Sequence, residues 1–228
     1  MGTALADLSW PDAERLTTRT ILAVPVGATE QHGPHLPLST DTDIAVSLVG
    51  MLAAARPEVI CAPPVAYGSS GEHAGFAGTL SIGQEATELL LVELVRSATE
   101  SFARVLLVST HGGNAAAVRR AVTRLHAEGR DVLAWSPNWP GDAHAGRSET
   151  SLMLALSPER VAIDRATAGA TAPLPELLPL MVERGVLAVS ETGVLGDPAG
   201  ASAQEGRALL DAAAAELGAA IDAWTQAP

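Results

Sequence analysis

The segment Arg104-Val105-Leu106-Leu107-Val108-Ser109-Thr110-His111-Gly112-Gly113-Asn114 joins an unbroken apolar run to a histidine in a glycine-rich loop. A strand that is apolar on both faces is typical of the interior of a parallel sheet covered by helices on both sides. Asn114 is predicted to cap a helix over 115–128, which Gly129 ends before another strand over 131–136. This order of elements predicts an α/β fold with a mostly parallel sheet.

The same alternation of short apolar runs and helical periodicity continues on both sides of this segment. Residues 63–83 form a long loop rich in Gly, Ser and Pro, and loops of this length tend to be functional. Residues 166–198, which contain several prolines, predict only a short helix and a strand at 186–189. The other predicted elements are strands 20–27 and 59–62, helices 43–55, 85–102 and 149–156, and a C-terminal helix from the capping box Ser202-Ala203-Gln204-Glu205 to near Trp224.

Composition limits the class of protein. The chain has 228 residues, 47% of them hydrophobic, so one domain over residues 1–228 with one sizeable core is expected. Fourteen basic and 26 acidic residues give a net charge of −12, which disfavours nucleic acid and other polyanionic partners. The single cysteine, Cys61, excludes an intrachain disulfide, and no apolar stretch is long enough to cross a bilayer. Without a secretory signal pattern, a cytoplasmic protein is expected.

Side chains that can bind metal gather in the loops after the predicted strands. Glu30 and His32 are two residues apart and project from the same side of extended backbone, and Asp41 follows a turn just before a helix. His111 follows the central strand, and Glu149 opens a helix. Loops at the carboxyl ends of parallel strands meet in one crevice, so these side chains predict a site for two divalent ions, Zn, Mn or Fe(II), bridged by Asp41. The residues alone leave a structural alternative open, in which Glu30 serves only as a cap at the end of its strand and each histidine is only hydrogen-bonded.

Four further polar residues have less specific patterns. His35 and His73 could line a pocket, and a structural role is equally open for both. His126 lies near the end of a helix and is predicted to be a surface residue. Asp43 is predicted to lie in the first turn of its helix, where the helix dipole stabilises a carboxylate.

Three segments resemble the creatininase family of metal-dependent amidohydrolases. The segment from Gly27 to Asp41, with its Glu-x-His and following Asp, is similar to the family signature; Thr110 to Asn114 and His144 through Ser151 resemble its second and third site loops. The resemblance covers nearly the whole chain. It implies a three-layer α/β/α fold, a binuclear metal centre and a ring-like homo-oligomer, most simply a hexamer.

One position departs from the family pattern. Creatininase carries a glutamate ligand two residues after the loop histidine, where this chain has Gly113, and Glu149 is expected to supply that ligand instead. The departure argues against creatinine as substrate. Residues 68–81 look like a peptidase branch of the family that trims a ribosomally made redox-cofactor precursor, releasing its C-terminal Val-Tyr-derived unit. The alternative substrate is a small cyclic amide or a formamide.

The resemblance also suggests how an amide bond would be cleaved. Two ions would lower the pKa of a shared water and polarise the scissile carbonyl, with Glu149 and His144 as catalytic residues. His144 is predicted to protonate the leaving amine, although a structural role is nearly as well supported. Backbone N–H groups of residues 112–114 could hold the oxyanion. Trp135 and Trp139 would either border the pocket or pack beneath a loop.

Two functions of other classes rank lower. A nucleotide-binding α/β module is disfavoured because no Gly-x-Gly-x-x-Gly follows the first strand and no Walker motif occurs. A metal-binding scaffold without activity would be excluded by turnover of the precursor peptide.

Overall fold

In the computed structural model, which describes residues 2–16 and 20–226, four parallel strands form the sheet. Their spatial order is β2-β1-β3-β4, so the first and third strands of the chain lie in the middle. All six residues of β1 are buried, as are five of the six in β3, which confirms the prediction of a central strand covered on both faces. The strands are β1 (Ile21–Val26), β2 (Val59–Cys61), β3 (Arg104–Ser109) and β4 (Val132–Trp135).

Alternate residues of the strands enter two separate cores. Ile21 and Leu106 belong to the core beneath α2, α5 and α7, whereas Leu22 and Leu107 belong to the core beneath α3 and α4. Side chains alternate between the faces of a strand, so an apolar run in β1 or β3 fills both cores at once. The three-layer α/β/α arrangement is thereby confirmed. The helices are α1 (Trp10–Glu14), α2 (Thr40–Ala55), α3 (Gly83–Ala98), α4 (Ala115–Ala127), α5 (Arg147–Leu156), α6 (Leu174–Arg184) and α7 (Ala203–Gln226).

Short 3-10 helices complete the secondary structure. The functionally relevant ones are Gly71–His73 in the long loop and Gly112–Asn114 after β3. The others are Leu5–Asp7, Pro158–Arg160, Ile163–Arg165 and Val186–Ala188. Among residues 2–16 and 20–226, no helix is both long and apolar enough to cross a membrane.

Four local predictions need correction. Helix α2 begins at Thr40, so Asp41 lies inside its first turn and not before it. The predicted strand at 186–189 is a 3-10 turn, because only Val186 of this turn is buried and the segment has no neighbouring strand with which to form a ladder. Asn114 does not cap α4 with its side chain. Glu205 completes only half of a capping box: its N–H donates to Ser202 Oγ, but its carboxylate binds Arg147 and Ser151.

The fold brings the site loops to one edge of the sheet. The loops that follow β1 and β3 leave from the carboxyl ends of adjacent parallel strands. Thr110 N–H donates to Val26 O, and Asn114 bridges Gly27 O and Ser69 N–H at 2.9 Å each. These bonds join the two loops to the long loop after β2, as expected at this edge of an open α/β sheet.

Candidate metal centre

Glu30 is the fully buried centre of a cluster of imidazoles. It follows β1, and its Oε1 lies 3.3 Å from His111 Nδ1, 3.6 Å from His73 Nε2 and 3.7 Å from His144 Nδ1. Neither carboxylate oxygen has a hydrogen-bond partner. Burying an unpaired carboxylate costs on the order of several kcal/mol unless a positive charge compensates it.

Asp41 lies between two of these imidazoles. Its Oδ1 is 3.5 Å from His32 Nε2, and its Oδ2 is 3.4 Å from His111 Nδ1. Placement in the first turn of α2 holds this short side chain rigidly. The two oxygens therefore face different imidazoles, which is the geometry that a carboxylate bridging two ions requires.

Backbone carbonyl groups orient three of the imidazoles. His32 Nδ1 lies 3.2 Å from Glu30 O, His111 Nε2 lies 2.8 Å from Ser69 O, and His144 Nε2 lies 2.8 Å from Gln31 O. The nitrogen that donates to a carbonyl keeps its proton in the neutral ring, so the nitrogen that gains or loses a proton or a metal ion is the other one, which faces the carboxylates. This outer support is typical of metal-binding histidines.

Glu149 reaches the cluster from the first turn of α5. Its Oε2 lies 3.9 Å from His32 Nε2 and accepts a hydrogen bond from the Ala145 N–H. Ala145 has a φ of +53°, a left-handed conformation that is strained for a residue with a Cβ atom. The turn before α5 thus points an N–H group at the carboxylate and fixes it beside His32.

The described residues contain three sets of side chains whose potential ligand atoms all lie within 4.8 Å of one another. Each of the five ligands predicted from the sequence belongs to at least one set. His144 belongs to two sets, and His73, which was not among the predicted ligands, belongs to one. The sets are Glu30, Asp41 and His111; His32, His144 and Glu149; and Glu30, His73 and His144.

Electrostatic interactions in the cluster favour bound positive charge. Burial alone would lower the pKa of His32, but the negative charges of Asp41, Glu149 and Glu30 outweigh it and raise the pKa to about 10. Burial opposes protonation of His111 as well, yet Asp41 and Glu30 raise its pKa to about 10. For Glu30 burial acts in the opposite direction, but His111 dominates and holds its pKa well below the usual range. The 3.3 Å approach lacks hydrogen-bond geometry, so His111 acts through its charge.

Burial itself dominates at Glu149 and His144. It raises the pKa of Glu149 to about 7 despite the nearby charge of His32. Burial, followed by the charge of His32, keeps the pKa of His144 well below its ordinary value, so its imidazole is neutral. A neutral imidazole with its lone pair directed inward can accept a proton or bind a metal ion.

Two further residues contribute to this arrangement although no sequence motif singles them out. Gln31 is buried; its amide nitrogen lies 3.0 Å from Gly193 O and 2.8 Å from His73 Nδ1, and its Oε1 accepts the N–H of Gly33. Glu72, on the 3-10 turn Gly71–His73, has its Oε1 4.0 Å from His111 Nε2. The position of Glu72 beside His73 in a glycine-rich loop was the available signal.

Gly113 marks the departure from the creatininase pattern, and its surroundings are full. A Cβ atom here would lie 2.2 Å from Ser69 O, 2.4 Å from Glu72 Oε1 and 2.4 Å from His111 Nε2. A larger side chain therefore does not fit. The space where a glutamate at 113 would start is taken by the turn that carries Glu72.

Other side chains singled out in the sequence lie outside the cluster. His35 Nε2 is 2.8 Å from Thr150 Oγ1, and Trp135 and Trp139 are half-buried against the core beneath α5 and do not line the cleft. His126 is exposed, as predicted. Asp43 lies in the first turn of α2, as predicted, and binds Ser39 and Arg160.

A cleft with a cavity volume of about 800 Å³ opens onto the cluster. Its polar lining is made of the cluster residues Glu30, Glu72, His73, His111 and His144, together with Glu183 and Arg184 at the end of α6. Its apolar part comes chiefly from α6. The cavity is thus large enough for an extended substrate, with the ligand-capable side chains on one side and an apolar wall on another.

Comparisons with known proteins agree with this geometry. The chain is 50% identical over 217 residues to the mycofactocin precursor peptide peptidase of Mycobacterium ulcerans, covering 91% of this chain and 86% of that protein. A crystal structure of creatinine amidohydrolase has a TM-score of 0.83 at 24% identity, covering 100% of this chain and 99% of that one, which shows the shared fold. A structure named "Creatininase Mn" has a TM-score of 0.78 at 25% identity, covering 97% and 98% of the two chains.

The sequence profile of one family matches almost the full length. The profile described as "Creatininase: Creatinine amidohydrolase" covers residues 6–221. With this match and a relative at 50% identity, the chain belongs to the creatininase family.

Proposed function

We propose that this protein is a metal-dependent peptidase that holds two divalent ions, Zn, Mn or Fe(II). Glu30, Asp41 and His111 would bind one ion, and His32, Asp41 and Glu149 the other. One observation carries the proposal: both oxygens of Glu30, one oxygen of Asp41 and Nε2 of His32 are buried together without hydrogen-bond partners. Mixed imidazole and carboxylate ligands suit these metals.

The substrate we propose is the modified mycofactocin precursor peptide, cut to release its C-terminal Val-Tyr-derived unit. The similarity to the peptidase of Mycobacterium ulcerans supports this choice. A cleft of about 800 Å³ also favours a peptide over the alternative of a small cyclic amide or a formamide, which would leave most of the volume unfilled. Residues 1–228 would act as one catalytic domain, and the active form would be a homo-oligomer, most simply a hexamer.

The bound ions would polarise the scissile carbonyl and lower the pKa of the attacking water. His144 Nδ1 faces Glu30 with its lone pair, because Nε2 donates to Gln31 O. This nitrogen would take up a proton released by the water and deliver it to the leaving amine. Glu149 would share this proton transfer beside His32. The N–H groups of Gly112 and Gly113, between His111 and α4, would orient the carbonyl oxygen, whereas the Asn114 N–H donates to His111 O.

Metal analysis tests the ligand assignment. We expect Glu30→Gln, Asp41→Asn and His111→Ala each to lose metal and peptidase activity while keeping the fold, because each removes a side chain of the cluster and none belongs to either apolar core. His126→Ala is the matched control, since it removes an exposed imidazole that belongs to none of the ligand-capable sets. Retention of the full metal content by all three variants after dialysis against chelator would refute the site.

A further inference from the structure

Helix α6 is apolar yet contributes nothing to the core. None of its residues is buried, although Leu, Met and Val dominate its sequence. Leu178 is 42% exposed and Leu180 is 38% exposed. Exposed apolar patches on a folded protein commonly mark binding surfaces.

One face of α6 forms the apolar wall of the cleft. Leu174, Leu178, Met181 and Val182 line it, and their spacing of i, i+4, i+7 and i+8 places them on one side of a helix. Leu180 does not line the cleft. The four side chains share a single cavity with Glu30 and His111, so whatever covers them occupies the space in front of the candidate metal ligands.

The backbone holds this wall in place. Gly185, directly after α6, has a φ of +78°, and a Cβ atom there would lie 2.9 Å from Glu72 O. This close approach sets the end of α6 against the turn Gly71–His73, which also lines the cleft. The helix is therefore positioned through its C-terminal end, and its apolar face stays free for a ligand.

We infer that this face of α6 determines substrate specificity by binding the apolar side chains next to the scissile peptide bond, with Leu178 at its centre. The inference rests on the proposed peptidase function and assigns the substrate class within it. A second copy of this chain on the same face would block entry to the cleft, so a substrate is the occupant that fits an open catalytic site.

Paired substitutions on α6 test the inference. Leu178→Ser and Leu180→Ser remove the same side chain at similar exposure from the same helix, but only Leu178 lines the cleft. The metal-loaded protein is assayed with two synthetic peptides of the precursor's C-terminal sequence, one ending in Val-Tyr and one in Ala-Ala. We expect the preference in kcat/KM for the Val-Tyr peptide to fall about tenfold in Leu178→Ser, mainly through KM, and to stay at the wild-type value in Leu180→Ser.

A binding measurement separates failure of this inference from failure of the proposed function. Calorimetric titration of the metal-free proteins with the Val-Tyr peptide should show about tenfold weaker binding for Leu178→Ser alone. If the wild-type protein binds the peptide in this α6-dependent way but cleaves neither peptide, the proposed peptidase function is wrong and the inferred binding face on α6 is retained. Cleavage with equal preference in all three proteins would overturn the inference, as would a change of oligomer mass confined to Leu178→Ser in size-exclusion chromatography with light scattering.

Discussion

Hydrogen bonds to the outer nitrogen of each imidazole decide what the cluster can do. His144 donates to the carbonyl of Gln31, so its inward Nδ1 carries a lone pair. His73 differs because the Gln31 amide donates to its Nδ1, and its proton must then sit on Nε2, which faces Glu30. Gln31 thus makes His73 a donor toward Glu30 while its own carbonyl makes His144 an acceptor. Both rings therefore carry the proton on Nε2, but His73 faces Glu30 with this protonated nitrogen and His144 faces it with the lone pair of Nδ1.

Gln31→Glu should reverse the tautomer of His73. The replacement is similar in size, but a carboxylate accepts where the amide donated, so His73 should move its proton to Nδ1. Loss of the bond to Gly193 O should lower the free energy of unfolding by about 1–3 kcal/mol. Nitrogen NMR of histidine-labelled protein reports the tautomer, and thermal unfolding reports the stability.

Gln84→Glu is the matched control for this change. Its amide also donates to a backbone carbonyl, that of Gly113, but contacts no imidazole. The histidine spectrum of this variant should resemble the wild type. An unchanged His73 tautomer in Gln31→Glu would show that the imidazole is oriented by other contacts.

His144→Ala should keep its metal and lose rate. Five other ligand side chains are available, and loss of a positioned proton-transfer group costs about a hundredfold to ten-thousandfold. The cost should shrink on an activated anilide, whose leaving group needs no proton. Rate ratios of wild type to variant on a peptide and on the anilide provide the measurement. Loss of one ion in His144→Ala would show instead that His144 is a metal ligand, in line with its membership of two ligand-capable sets. Equal rate ratios on the two substrates with intact metal would show that His144 only positions the substrate or the loop.

At the scale of elements, the 3-10 turn Gly112–Asn114 connects three parts of the site. Its buried Asn114 bonds the loops after β1 and β2, and Gly113 allows Glu72 and His111 to approach the backbone closely. Gly112 in the same turn has nothing within 4 Å of its Cβ position. The two neighbouring glycines therefore have different roles. Gly113 permits close packing, whereas the Cβ position of Gly112 is free of contact.

Gly113→Ala should displace Glu72 or His111, whereas Gly112→Ala should be nearly neutral. Overpacking of this kind typically costs about 1–3 kcal/mol, and a shifted His111 should also weaken metal binding. Thermal unfolding and metal content of the two variants give the comparison. If Gly113→Ala matches Gly112→Ala in both readouts, the packing around Glu72 is not tight enough to exclude a side chain.

At the scale of the whole molecule, proton and metal binding compete for the same cluster. His32 and His111 have pKa values of about 10 without metal, above the unfolded value of about 6.5. Folding of the metal-free protein therefore takes up protons. Their stabilising contribution is fully present below pH 6.5 and is lost as the pH rises through 10.

The difference in Tm between metal-loaded and metal-free protein should consequently widen from pH 7 to pH 9.5. Metal binding at pH 8 should also release about two protons, one from each of these histidines, because both are protonated at that pH. Calorimetry in buffers of different ionisation enthalpy counts the protons. Release of none would mean that the ions bind elsewhere.

The sequence by itself determined the order of the strands and of the main helices, and it predicted five candidate ligands that the fold brings together. Apolar runs of six residues such as β3 are long enough to fix a buried strand, and a loop after a parallel strand can only lie at its carboxyl end. Glu30, His32 and His111 follow such strands directly. Their convergence with Asp41 and Glu149 was therefore predictable from order along the chain.

Only the tertiary structure decided which partners the polar side chains use. Gln31 contacts His73, which is 42 residues away in the sequence. The Asn114 side chain accepts a hydrogen bond from Ser69 N–H and donates one to Gly27 O, so it does not cap its own helix. Residues 186–188 form no strand because a ladder needs a neighbour that the fold does not place there. Local sequence specifies the conformation that a segment prefers, whereas hydrogen-bond partners and close approaches arise when distant segments pack together, and no local pattern encodes them.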